Sequence, residues 1–481
     1  VGKAIGLYGP YKFAERNVSM KERIKAWFSE HQKEMIEDIS ALVRIPSIEG
    51  PATAAYPFGE ECFKALEKSM EIAARFGLET SMFKDMVGQA ALKKGKADFG
   101  IWAHTDVVPV DGKWTTPPFE PSVRDGRIYG RGTTDNKGQL VMALYALRCM
   151  KELGIELKHN VAVFAGSNEE TGMRDIRTWV AENQEPFINL SPDADFAIGY
   201  AEKGVLRFYL KAPVAQKGLL DLYGGDALNI FPKVATAVLR LSEVNKDVLI
   251  HRDPQTWPDG LECTLNGDTA TLVAKGKGGH SARALGADNP YVKLIYAMDK
   301  LGVFKEGLVP QLKFLADACL DESGTFFGIA CSDEVVGKLH FAGTVLRFAD
   351  GVVTLGCDIR HPMSNPGEQL LVSIEKACAS AGIAVHPDEI NPAIYSDPNE
   401  PSAVICTEIY SKLAAEFGRE VQENYTLSGG TYARHFTRGY AFGLDAGGNA
   451  HNVDEYVRID SLLFGGVVYV LCLMEMDKVY E

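Results

Sequence analysis

The chain has 481 residues, more than one average domain and enough for two sizeable cores. Hydrophobic residues make up 46 % and charged residues 24 %, an ordinary soluble composition. A formal net charge of −14 at pH 7 argues against non-specific binding to nucleic acid or an anionic membrane, and it favours any site that takes a cation.

The nine cysteines are odd in number, none falls in a C-x-x-C pair, and several sit in apolar stretches such as "LRCMK" around Cys149 and "VLCLM" around Cys472. That pattern implies buried free thiols in a reducing compartment, so a cytoplasmic location is expected. No apolar run reads as long enough for a membrane span, and no secretory signal pattern opens the chain. The opening "VGKAIGLYGPYKFAERNVS" carries no clear period. A natural start at Met20 is expected, with residues 1–19 an appended remnant or a loose arm.

In chain order, Ile24, Trp27, Phe28, Met35, Ile36, Ile39 and Leu42 predict an amphipathic helix over 20–43. A strand is expected at "DFGIWAHTDVV", then a Pro-rich loop and a hairpin turning at Asp125-Gly126. "NKGQLVMALYALRCMKELG" predicts a helix ended by Gly154, "NVAVFAG" a buried strand, "MRDIRTWVAENQ" a helix and "DADFAIGY" a strand. Strands alternating with helices indicate an α/β layer with a mostly parallel sheet, whose ligands bind beyond the strand ends. From about residue 200 the texture is α+β: a strand at "GVLRFYLKA", a helix over 233–243, a strand at "DTATLVAKGK", helices over 290–301 and 368–380, and paired strands from Gly337 to Arg360. "DPNEPSA", near residue 400, reads as a linker. The expected organisation is one domain of residues 1–200 and 401–481, with residues 201–400 inserted as two similar α+β units, one before residue 310, opened by "GVLRFYLKA", and one after it.

Five motifs carry candidate chemistry. In "AHTDVVP", His104 and Asp106 share a strand face, as an ordinary hydrogen-bonded pair or as an imidazole ligand and its orienting acceptor. In "GRGTTDNKGQ", Asp135 precedes a helix, either capping it or bridging two cations. "SNEETGM" sets Glu169 beside Glu170 with no Lys or Arg in the segment, so their repulsion needs an outside cation. "PDADF" offers Asp193 and Asp195, and "GNAHNVDE" offers His451; a turn aspartate and a solvated loop histidine are the alternatives. Of these, His104, Asp135, Glu170, Asp193 and His451, two imidazoles and three carboxylates at strand-flanking loops, suit two borderline cations such as Zn²⁺ or Mn²⁺.

The motifs "AHTDVVP", "GRGTTDNKG", "SNEETGM", "SPDADF", "GGHSARA" and "AHNVDE" resemble, in order and spacing, a metallopeptidase family that includes aminoacylases, glutamate carboxypeptidases, carnosinases and PepV-type dipeptidases. The resemblance runs from about Met20 to the end. It implies a zinc-exopeptidase-like catalytic domain and an inserted lid. By motif, His104 and Asp193 would hold one ion, Glu170 and His451 the other, and Asp135 would bridge them through a turn whose next peptide is often cis. Asp106 would support His104 and Glu169 would be the general base. His280 would face the developing oxyanion, while Asn229, Arg360, Gly429 and Gly430 would contact substrate. The implied reaction is hydrolysis of dipeptides by an active monomer. Release of an acyl group from N-acyl amino acids, and an inactive metal-binding scaffold, are the alternatives. Two departures stand out: "TTDNKGQ" where PepV-like and carnosinase-like members more often carry two acids and a proline, and "GGHSARA" where "AHA" is commoner.

Overall fold

The computed structural model describes residues 19–252, 257–281, 286, 288–444 and 447–480. Residues 1–18 of the expected arm lie outside them. Two compact units result. One takes the chain up to Gly199, Asp397–Asn424 and Thr431 onward; the other takes Tyr200–Ser396 and Tyr425–Gly430.

In the first unit, the Ser19 hydroxyl accepts from the Glu22 N–H and caps helix Met20–Glu30. The single helix expected over 20–43 is two, Met20–Glu30 and Gln32–Val43. His31 marks the break: its ring stacks on Trp27, and its Nδ1 lies 2.7 Å from the Trp27 carbonyl that its own N–H also uses.

The sheet of this unit runs Glu79–Phe83, Val87–Ala91, Val161–Gly166, Phe99–His104, Ile188–Ser191, Gly439–Phe442, then the start of Ile198–Glu202. Phe99–His104 pairs in parallel with Val161–Gly166 and with Ile188–Ser191, and Gly439–Phe442 continues the parallel set. Both central strands are buried on both faces, as helices cover the sheet, which explains their unbroken apolar runs. Ile188–Ser191 was not expected; Asp193 therefore sits in the loop after one strand rather than at the start of the next. "DPNEPSA" starts where the chain passes from one unit to the other, after Ser396; residues 397–400 form a turn, and Pro401 opens helix Pro401–Glu416.

Helix Ile459–Val479 corrects the reading that no apolar run approaches a membrane span. It is long and apolar enough by length and composition, yet 72 % of its most apolar window is buried inside the fold. It packs on Lys137–Glu152 and Pro401–Glu416, which is why it is apolar all round.

The second unit is an eight-stranded antiparallel sheet in the order Leu261–Asn266, Thr269–Lys275, Val234–Arg240, Leu219–Gly224, His340–Ala349, Val352–His361, Gly204–Pro213, Ala384–Asn391. Helices Pro290–Lys300, Pro310–Leu320 and Gly367–Ala379 contribute to one core with it. Two four-stranded halves join where Tyr223 and Gly224 pair with Arg347 and Leu346. Two expectations fail here. Residues 233–243 hold the strand Val234–Arg240, not a helix: Ala235, Ala237 and Leu239 alternate into the core. Gly204–Pro213, first in the chain, lies between the strands of the later half.

Candidate metal centre

His104 ends strand Phe99–His104 and is fully buried. Its Nδ1 lies 3.0 Å from the Asp106 main-chain carbonyl and 3.4 Å from Asp106 Oδ1. A carbonyl can only accept, so Nδ1 carries a proton, and Nε2 is the nitrogen turned toward the neighbouring carboxylates. Nε2 lies 3.1 Å from Asp135 Oδ1 and 3.6 Å from Asp193 Oδ2. The Asp106 carboxylate has a second task that its spacing from His104 did not reveal. Its Oδ1 and Oδ2 accept from the N–H groups of Glu169 and Glu170, at 3.1 and 3.0 Å.

Asp135 sits in the turn before helix Lys137–Glu152, and the Asp135–Asn136 peptide is cis. Gly138 lets the helix start close in: a Cβ there would lie 2.2 Å from the Thr133 carbonyl oxygen. The turn is gripped by Glu455, fully buried. Its Oε1 accepts from the N–H groups of Thr134 and Asp135, and its Oε2 from Gly132 N–H and, at 2.7 Å, from Arg131 Nη1. The same loop carries His451, whose Nε2 lies 3.0 Å from Asp135 Oδ2 and 3.0 Å from Glu170 Oε2. Asp135 thus offers one oxygen to each imidazole.

The paired glutamates follow strand Val161–Gly166. Asp175 holds their turn from below: its Oδ2 accepts from the N–H groups of Ser167 and Asn168, at 2.7 and 2.9 Å, and from the Tyr432 hydroxyl. Gly166 must be glycine, because a Cβ would lie 2.0 Å from the Tyr432 oxygen. Two ligand groups emerge, with atoms all within 4.8 Å of one another: His104 with Glu169 and Asp193, and His104 with Asp135 and Glu170. The peptidase family M20/M25/M40 model matches residues 100–475, a span that contains all of these residues.

The chain belongs to peptidase family M20/M25/M40.

Among relatives, the chain is 28 % identical to a putative dipeptidase, YtjP, of Bacillus subtilis (strain 168), over 93 % of this chain and 98 % of that one. It is 28 % identical to a Beta-Ala-Xaa dipeptidase of Lactobacillus delbrueckii subsp. lactis, over 92 % and 96 %. Among solved structures, human carnosine dipeptidase 1 superposes with a TM-score of 0.58 at 15 % identity, covering 95 % of this chain and 100 % of that one. The dipeptidase Dug1p from Saccharomyces cerevisiae gives 0.60 at 13 %, covering 96 % and 99 %. At these identities the structural likeness is one of fold. Family membership and the two ligand groups make the chain a metallopeptidase.

The charge balance of the centre fits such ions. Asp135, Glu169, Glu170 and Asp193 face only two imidazoles. Burial, reinforced by the neighbouring acids, pushes the Glu169 carboxyl well above its ordinary range. Burial and the Asp135 charge push Glu170 up to about 7, and the same causes raise Asp193. Asp135 goes the other way: burial opposes its charge, but hydrogen bonds to His104 and His451 override it and hold its carboxyl below the ordinary range. For His451, burial is likewise overridden by Glu170 and Asp135, which take it up to about 12. Carboxylates that outnumber their cations, arranged around imidazoles with outward-facing nitrogens, are a donor set short of positive charge.

The remaining expected residues belong to the second unit. Arg360 is buried, so it is no surface arginine. Its Nε and Nη2 donate to Asp358 Oδ1 and Oδ2, at 2.8 and 3.0 Å, and its Nη1 to the Ser428 carbonyl beside Gly429 and Gly430. Asn229 lies in a turn, and its carbonyl accepts from Ser281 N–H. His280 pairs by its main chain with Ile230; its side chain lies outside the described atoms.

Sequence reasoning missed Asn136, Glu455, Asp175 and Tyr432. Glu455 stands four residues after His451 in "HNVDE", but nothing local distinguishes it from the outward Asp454. Asp175 and Tyr432 meet across 257 residues of chain, beyond the reach of any local signal.

Proposed function

We propose that this metallopeptidase hydrolyses the peptide bond of dipeptides, using two divalent ions, zinc or alternatively manganese. The observation that carries this is the Asp135 carboxylate, which sets Oδ1 3.1 Å from His104 Nε2 and Oδ2 3.0 Å from His451 Nε2. His104 and Asp193 would hold one ion, Glu170 and His451 the other, with Asp135 shared. The dipeptidase names of the relatives support the substrate class.

When bound, two such cations supply Lewis-acid polarisation of the scissile carbonyl and a water acidic enough to lose a proton near neutral pH. The protein's own groups do the rest. Asp106 fixes the His104 tautomer and, through the N–H groups of Glu169 and Glu170, the direction of both glutamates. Glu169, its proton affinity raised by burial, takes the proton of the attacking water on its carboxylate and returns it to the leaving amine. His280 is assigned to the developing oxyanion, and Asn229, Arg360, Gly429 and Gly430 to the substrate. Residues 201–400 serve as an inserted lid on a catalytic domain of residues 1–200 and 401–481, in an active monomer. The nine unpaired cysteines support a cytoplasmic location.

Replacing Glu169 by Gln tests the assignment. Turnover of dipeptides should fall about 10²–10⁴-fold, with metal content per chain unchanged. Wild-type turnover in Glu169→Gln would remove Glu169 from the mechanism. Mixing Glu169→Gln with His280→Ala chains should restore nothing; recovered activity would mean that the histidine acts across chains.

A further inference from the structure

Asn136 occupies the position where the chain departs from the two-acid form of the turn, and its side chain is fully buried. Its Oδ1 accepts from the His104 main-chain N–H at 3.4 Å, and its Nδ2 donates to Asp193 Oδ1 at 3.1 Å. Both neighbours demand this orientation, because an N–H can only donate and a carboxylate only accepts. Asp193 is left with one oxygen for the centre: Oδ2, 3.6 Å from His104 Nε2. An aspartate at 136 could take the His104 N–H equally well, but would present a second carboxylate to Asp193 in place of a donor.

We propose that Asn136 is a positioning residue that fixes Asp193 as a one-oxygen ligand and thereby sets how tightly the ion on the His104–Asp193 side is held. This rests on the assignment of Asp193 as a ligand. One amide ties two ligands of the same ion, the backbone of His104 and the carboxylate of Asp193. The other ion, on Glu170 and His451, has no hydrogen bond to Asn136 among the described residues. Loss of the amide should therefore act on one ion and spare the other. Without it, Asp193 is free to rotate and present both oxygens.

The test measures zinc bound per chain against graded free Zn²⁺ set by a chelator, for wild type, Asp193→Ala, Asn136→Ala and the space-filling Asn136→Leu. Wild type should hold two ions, and Asp193→Ala should lose one. Each Asn136 variant should weaken a single site, with its Kd raised about 10–100-fold, the usual effect of removing a group that orients a ligand. The cobalt(II)-loaded Asn136 variants should also show a weaker visible absorption band, as Asp193 adds an oxygen and the coordination number rises. Two wild-type dissociation constants in both Asn136 variants would overturn the proposal while leaving the ligand assignment intact. Equal weakening of both sites, with a lower melting temperature of the metal-free protein, would overturn it in favour of general packing. If Asp193→Ala kept both ions, the ligand assignment itself would fall, and the proposal with it.

Discussion

Two buried charge clusters in this chain end differently. In the second unit, Asp358 meets the Arg360 guanidinium edge-on through two hydrogen bonds, and Arg207 Nε adds a third at 3.3 Å. Burial opposes the Asp358 charge, but Arg360 and Arg207 overcome it and keep the carboxyl below its ordinary range. In the first unit, four carboxylates share two imidazoles, and burial drives three of them upward. A cluster that closes its own charge is complete as it stands. One that leaves acids short of partners, with imidazole nitrogens turned among them, is built around something else. Buried charge alone does not mark the centre; its imbalance does.

The contrast can be broken from either side. After the loss expected for Glu169→Gln, the largest effect is on stability, in the closed cluster. Arg360→Met leaves Asp358 buried with only Arg207, and should lower the unfolding free energy by about 3 kcal/mol, the lower end for breaking a buried pair. Chemical denaturation reads this directly; a shift under about 1 kcal/mol would mean that Asp358 relaxes to solvent or to Arg207. Next comes Glu455→Gln, which turns a donor toward Gly132 N–H and Arg131 and loosens the turn that presents Asp135. Because Asp135 faces both imidazoles, both ions should weaken together, by about 10–100-fold. Weakening of one alone would show that the grip of Glu455 does not reach Asp135.

The smallest effect concerns His435, which belongs to neither cluster. Burial, with the nearby Arg434 and Arg177 charges, lowers its pKa to about 3, against about 6.5 in an unfolded chain. Between these values the unfolded state binds more protons, so stability is fully present above about 6.5 and is lost as pH falls toward 3. His435→Gln should flatten that part of the stability curve, and denaturation midpoints at pH 7 and pH 4.5 should differ less than in wild type. Parallel curves would contradict the burial of a neutral imidazole there.

How much was legible in the sequence follows from the range of the interactions. His104, Asp135, Glu170 and His451 were readable as chemistry because each is polar where a buried strand or a glycine-rich turn gives way, a local contrast that needs no tertiary knowledge. The α/β character of the first unit was legible for the same reason, since its central strands are covered on both faces. Val234–Arg240 was misread because Ala and Leu serve helix and sheet equally, and only the alternation of Ala235, Ala237 and Leu239 decides. The place of Gly204–Pro213 in the sheet depends on partners far along the chain, such as Val352 with Pro213 and Arg360 with Val205, about 139 and 155 residues apart by their numbers. The carboxylates that hold the site, Asp175 and Glu455, look in sequence like any surface acid.

The central claim is that one carboxylate, Asp135, serves two cations. The direct measurement is metal bound per chain, by elemental analysis after dialysis against a weak chelator, for wild type and Asp135→Ala. The account predicts two ions per chain in wild type and loss of both, together with activity, in Asp135→Ala. Two ions retained by Asp135→Ala, or a single ion in fully active wild type, would contradict it.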